Sequence, residues 1–240
     1  MARAAPIITR RLLSISRQGP DADSEDAAAV QSNAWPVRAA IADGATEAVF
    51  SRLWATLLAQ GLVERAATPE ALTAALPAWQ ARWRDAVHAE AQSAPWYVQE
   101  KVREGAFATL LGLELKRNGE WRAVTVGDGA LFQLRDGTVQ RAWPTTDPDA
   151  FTNRPALLPS RPGRPVPSPE AATGPWVPGD AFLLATDAVA AWLLRTDPVR
   201  ARAWTADAFH DAVQAAHAEG TLRPDDATLL VLELDARTDP

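Results

Sequence analysis

The chain has 240 residues, 47% of them apolar and 22% charged, with three histidines and no cysteine. This length and composition suit one large folded unit with a sizeable core and exclude a disordered tail protein. The balance of 24 basic against 30 acidic residues lacks the footprint of a nucleic-acid binder and argues against a membrane-surface partner. The missing cysteine excludes disulfides, zinc ribbons and thiol catalysis.

Residues 7–15 read as an opening strand, on the β-branched run Ile7-Ile8-Thr9. Arg10 and Arg11 interrupt this end, which lacks the apolar h-region of about 7–15 residues found in a secretory signal. No stretch approaches the ~18 apolar residues of a membrane span, so a cytoplasmic protein is expected. The polar stretch GPDADSEDAA carries Asp21, Asp23, Glu25 and Asp26 and reads as a loop. Residues 37–42 form the next strand, which stops at Asp43-Gly44. Phe50, Leu53, Trp54, Leu57 and Leu58 then fall on one helical face, with Gly61 at its expected end. Thr68-Pro69 reads as an N-cap and first helical position. It opens a second stripe of Leu72, Leu76, Trp79, Trp83 and Val87, with a bend expected at Pro77.

Residues 106–142 predict an antiparallel meander. Its turns are Asn118-Gly119, Gly127-Asp128-Gly129 and Asp136-Gly137. Strands this apolar on both faces need cover on both, one face by a second sheet and the other by helices. Residues 155–178 hold 8 of the 19 prolines and exclude a helix or an interior strand. A flap or loop over about 145–179 follows, either surface decoration or a substrate-facing element. AFLLAT is a buried strand ending at Asp187, residues 188–195 and 205–218 are helical, and DDATLLVLEL is an acidic turn followed by a strand.

Asp43, Asp128 and Asp187 each follow an apolar strand, and Asp225-Asp226 precede one. Two readings fit. Each aspartate caps a turn or a helix, a common use of the residue. Alternatively, the strand ends meet at one edge, and the clustered carboxylates need cations to offset their repulsion. Oxygen ligands with no cysteine and few histidines suit Mg²⁺ or Mn²⁺. His88, His210 and His217 read as surface or helix-face residues, and the ten tryptophans as packing groups.

Four blocks, in order, resemble the PPM/PP2C metal-dependent serine/threonine protein phosphatases, in particular their compact bacterial members. They are Ser24-Glu25-Asp26, IADGATEAVFSRLWATLL, ATLLGLEL through VTVGDGALFQLRDG, and FLLATDAVAAWL with PDDATLLVLEL. The resemblance spans most of residues 7–235. It implies an α+β fold, a four-layer α-β-β-α sandwich of two mainly antiparallel sheets, forming a single domain over 1–240. It also implies hydrolysis of phosphoserine or phosphothreonine on a phosphorylated protein, opposing a cognate kinase, with two Mn²⁺ or Mg²⁺ ions and a weak third. Carried over by position, Asp43 bridges the two ions and the Gly44 carbonyl binds one of them. Asp187 and Asp225 hold the other. Glu25 and Asp26 hold metal-bound waters, and Asp128 serves the third ion.

The departures are specific. Ala188 stands where a glycine follows the late aspartate, and Ala191 where a further aspartate often stands. Ala45-Thr46-Glu47 replaces a glycine-rich stretch. Asp21 occupies the place of the phosphate-binding arginine, for which Arg17 is the nearest upstream candidate. The rival readings are a pseudophosphatase that recruits a partner, favoured by Ala188 and Ala191, and a hydrolase of small phosphoesters.

Overall fold

A computed structural model describes residues 6–17, 24–45, 50–93, 95–152 and 154–235. Asp21, Asp23, Thr46 and Glu47 of the sequence reading lie outside the described residues. In chain order, β1 (Ile7–Ile15), β2 (Ala27–Gln31) and β3 (Val37–Ala42) are followed by α1 (Ser51–Val63), α2 (Pro69–Ser93) and α3 (Trp96–Glu104). Then come β4 (Phe107–Ala108), β5 (Leu110–Leu115), β6 (Glu120–Val126), β7 (Ala130–Arg135) and β8 (Thr138–Trp143). After these, β9 (Leu158–Pro159), β10 (Glu170–Pro175) and β11 (Ala181–Ala185) lead to α4 (Asp187–Arg195), α5 (Pro198–Ala201), α6 (Ala206–Ala218) and β12 (Ala227–Asp235).

Two five-stranded antiparallel sheets result, in the orders β1-β12-β11-β7-β8 and β10-β6-β5-β3-β2, with β4 and β9 as a separate pair. β5 and β11 are buried at every position, which requires cover on both faces. The side-chain period of two distributes that cover. On β12, Leu230, Leu232 and Leu234 point into the core between the sheets, against Ile41, Leu113 and Trp121. Leu229 and Val231 point the other way, to Val189, Leu193, Phe209 and Val213 of α4 and α6. The outer face of the second sheet packs Ala40, Leu110 and Val124 against Trp54, Leu58, Leu72, Trp79 and Trp83 of α1 and α2. Three cores separate four layers, the expected α-β-β-α sandwich.

Several expectations change. Gly127-Asp128-Gly129 is not a hairpin turn within one meander, because β6 belongs to one sheet and β7 to the other. The edge of β6 that a hairpin partner would need is taken by β10, and β7 lies between β11 and β8. Gly61 does not end α1 but lies inside it, because a methyl group there would sit 2.1 Å from the Trp79 indole nitrogen. Ala27 and Ala28, read as loop, begin β2. The proline-rich segment contains an edge strand, β10, where its prolines are tolerated. Among the described residues no helix is long and apolar enough to cross a membrane.

Candidate metal centre

The registers bring the acidic strand ends to one edge of the sandwich. Ala27 pairs with Ala42, so Asp26 and Asp43 continue adjacent strands. Ala185 pairs with both Leu229 and Ala130, which sets Thr186-Asp187 beside the entry to β12 and the exit from the Asp128 crossover. The Asp43 backbone is fixed from both sides. Its carbonyl accepts from the Thr109 N–H (2.9 Å) and its N–H donates to the Thr109 hydroxyl (3.3 Å). Gly127, at φ 103°, lets that threonine approach, since a methyl group there would lie 2.6 Å from Thr109. Gly44 is packed as tightly, with its missing methyl position 2.9 Å from the Glu25 carbonyl oxygen and 3.0 Å from the Ser51 carbonyl carbon.

The electrostatics report the convergence. Burial pushes Asp43 well above the ordinary carboxylate range, and repulsion from Asp26, Asp187, Asp225 and Asp128 adds to it. Burial raises Asp26 to about 7, with Asp226 and Asp187 contributing, while hydrogen bonds from Thr228 and Thr186 oppose the rise. Asp128 also rises to about 7, through burial first and Asp187 next. Asp225 is raised by burial and by Asp187. Among the described residues, both oxygens of Asp128 and Oδ1 of Asp26 are buried without a hydrogen-bond partner. Buried anionic oxygens left unpaired are costly unless a cation meets them. An all-oxygen donor set of this kind fits a hard divalent ion. Among the described residues, no three acidic or histidine side chains are grouped so that they could hold a metal ion as they stand. The Asp187 carboxylate is instead paired with the Arg223 guanidinium and accepts the Ala188 N–H.

Asp43, Gly44, Asp187 and Asp225 line a cleft of about 440 Å³, together with Thr109 and Arg223. Glu25 is turned toward the start of α1, where Ser51 donates to its carboxylate at 2.9 Å. Arg17 has an exposed side chain and is not among the cleft-lining residues, while its backbone N–H donates to Asp226 (2.9 Å). The proline-rich segment faces the cleft with Thr152, Pro155 and Leu157. Its β9 is held from beneath by the Trp54 indole, which donates to the Leu158 carbonyl (2.8 Å), and by Gln80, which donates to that of Pro159 (3.0 Å).

Sequence reasoning named Asp226 only as half of an acidic pair, without its role, and missed Arg223 altogether. Asp226 accepts the Glu25 N–H and the Ser24 hydroxyl (2.9 Å), besides the Arg17 N–H, and so organises the first acidic turn. Arg223 carries no local signature.

The chain matches the family model described as Protein phosphatase 2C over residues 15–227. A search of curated proteins finds no match. Among solved structures, the serine/threonine phosphatase PstP/Ppp of Mycobacterium tuberculosis is 19% identical, with 95% of this chain and 99% of that chain covered and a TM-score of 0.63. The PstP catalytic domain in complex with two manganese ions is 19% identical, with coverages of 95% and 98% and a TM-score of 0.62. The serine/threonine phosphatase Stp1 of Staphylococcus aureus is 13% identical, with 98% of each chain covered and a TM-score of 0.61. With most of its length matched by the family model and the same layered sandwich around its acidic edge, the chain belongs to the protein phosphatase 2C family.

Proposed function

We propose that this protein is a metal-dependent phosphatase of phosphoserine and phosphothreonine on proteins, acting in the cytoplasm against a cognate serine/threonine kinase. One observation carries the reading: Asp26, Asp43, Asp128, Asp187 and Asp225 share one edge of the fold, where burial and mutual repulsion raise the pKa values of Asp26, Asp43, Asp128 and Asp225 and where buried oxygens of Asp26 and Asp128 lack a hydrogen-bond partner. Asp43 is assigned to two Mn²⁺ or Mg²⁺ ions, the Gly44 carbonyl to one of them, and Asp187 and Asp225 to the other. Asp128 serves a weak third ion, weakened further by alanine at 191. When bound, such ions activate water and neutralise phosphoryl oxygens. The chain's own part is to fix the carboxylates. Thr109 holds the Asp43 backbone from both sides. Thr186 donates to Asp26, Ser51 donates to Glu25, and Thr152, Pro155 and Leu157 shape the approach for a peptide.

The pairing of Asp187 with Arg223 favours a second reading, a scaffold that binds partners without turnover. One assay separates them. Protein stripped of metal is given Mn²⁺ with a phosphothreonine peptide or an aryl phosphate. Metal-dependent phosphate release that is lost in Asp43→Asn supports the enzyme. Manganese binding without release from either substrate overturns it.

A further inference from the structure

We propose that Arg223 is the residue that grips the phosphoryl group of the substrate. The inference rests on the phosphatase reading and names a residue that neither the motifs nor the spacing assigns.

The cleft is strongly anionic. Asp43, Asp187 and Asp225 line it, and among its described lining residues Arg223 is the one cation. A phosphomonoester approaching that wall is repelled unless positive charge meets it. Metal ions neutralise the carboxylates, but recognition of the phosphoryl oxygens still calls for directed donors. A guanidinium supplies them in a planar fork. It carries five N–H groups, so a bond to Asp187 and bonds to phosphate are compatible. Of the undescribed positions, 18–23, 46–49, 94 and 153 hold neither lysine nor arginine, and the two terminal stretches hold Arg3 and Arg237. Arg17, the upstream candidate, points to solvent and is not among the cleft-lining residues.

The arginine is also placed. His217 contacts its carbonyl oxygen at 3.0 Å through a ring nitrogen, joining α6 to the loop before β12. Pro224 follows and restricts the backbone beyond it. The side chain is 35% exposed while that of its partner Asp187 is 11% exposed. The Arg223 side chain is thus the more exposed member of the pair, although its Nε is buried. Once a divalent ion shares the charge of Asp187, the arginine is attracted less to the aspartate and more to the phosphoryl oxygens.

The test uses full-length protein loaded with Mn²⁺ and two variants, Arg223→Met and Arg223→Lys. Calorimetric titration with inorganic phosphate is the first readout, the KM and kcat for a phosphothreonine peptide the second, and Mn²⁺ titration of the stripped protein the third. The methionine variant is expected to bind phosphate roughly 10- to 100-fold more weakly, the loss expected when charged hydrogen bonds are removed. KM is expected to rise in parallel, and Mn²⁺ affinity to stay equal or tighten because a competing cation has gone. Lysine, which keeps the charge without the fork, is expected to lie between. If Arg223→Met melts below the assay temperature, the lysine variant and wild type decide alone. Wild-type phosphate affinity in either folded variant overturns the proposal. So does a loss of Mn²⁺ affinity with phosphate binding and KM unmoved, which marks a brace for Asp187. If wild type binds phosphate through Arg223 yet never turns over, the inference stands and the phosphatase reading falls.

Discussion

The hydroxyl of Thr186 donates to Oδ2 of Asp26 at 3.2 Å, although 160 positions separate the two residues. The Thr186 hydroxyl oxygen also accepts the Thr228 N–H at 3.1 Å, and the Thr186 N–H donates to the Thr228 carbonyl. One threonine thus joins the first acidic turn, the end of β11 and the start of β12. Thr186→Val keeps the shape and removes the hydroxyl's bonds to Asp26 and Thr228, leaving buried polar groups unpaired. It is expected to cost about 1–3 kcal/mol, read as a lower urea midpoint of the metal-free protein with an unchanged slope. Thr186→Ser is expected to retain most of the stability.

The clustered acids make the metal-free fold pH-sensitive in a defined direction. Asp26 and Asp128 rise from 3.8 to about 7 on folding. Between those values the folded chain binds more protons than the unfolded one, so stability falls as pH rises. Their favourable contribution is complete below about pH 4 and is lost as pH passes about 7. The metal-free protein is expected to melt at a lower temperature near about pH 8 than near about pH 5, and Mn²⁺ near about pH 8 to reverse the loss. A melting temperature that stays flat or climbs across this range in chelator removes the electrostatic argument.

Asp225 and Asp226 are neighbours with opposite assignments. Asp225 lines the cleft, and its repulsion from Asp187 makes it a burden on the metal-free fold. Asp226 is buried and holds the turn of Ser24 and Glu25. Asp225→Ala is expected to lower Mn²⁺ affinity at least about tenfold while leaving metal-free stability unchanged or higher. Asp226→Ala is expected to destabilise by about 3 kcal/mol, because several donors lose one charged acceptor. Chemical denaturation paired with manganese titration separates the two. Equal effects on both readouts contradict the assignment.

Gly44→Ala probes the cradle at the start of the site. The added methyl would meet two main-chain carbonyl groups, those of Glu25 and Ser51, neither of which can rotate away as a side chain does. A cost of about 1–3 kcal/mol is expected, with loss of metal-dependent phosphate release. Release at the wild-type rate in a folded Gly44→Ala protein excludes tight packing at this position.

Much of the fold was legible because local patterns carry burial. The strand over 37–42 and the stripe Leu72, Leu76, Trp79, Trp83 and Val87 stand where periodicity placed them, as does Thr68, whose hydroxyl accepts the Ala71 N–H. The strand-end aspartates were visible as apolar runs stopping at an acid. Their convergence was not, since single Asp-Gly pairs serve equally as turns.

By itself the amino-acid sequence determined many of the elements, though not β2, α3 or β10, together with the double burial of the strands and the supply of hard oxygen ligands, because each follows from side chains a few positions apart. Only the tertiary structure decided that Gly127-Asp128-Gly129 passes between sheets, that Gly61 yields its space to Trp79, and that Arg223 rests on Asp187. Those outcomes depend on strand register and on which sheet edges are already occupied. A lone arginine in a loop has no partner until distant strands are paired.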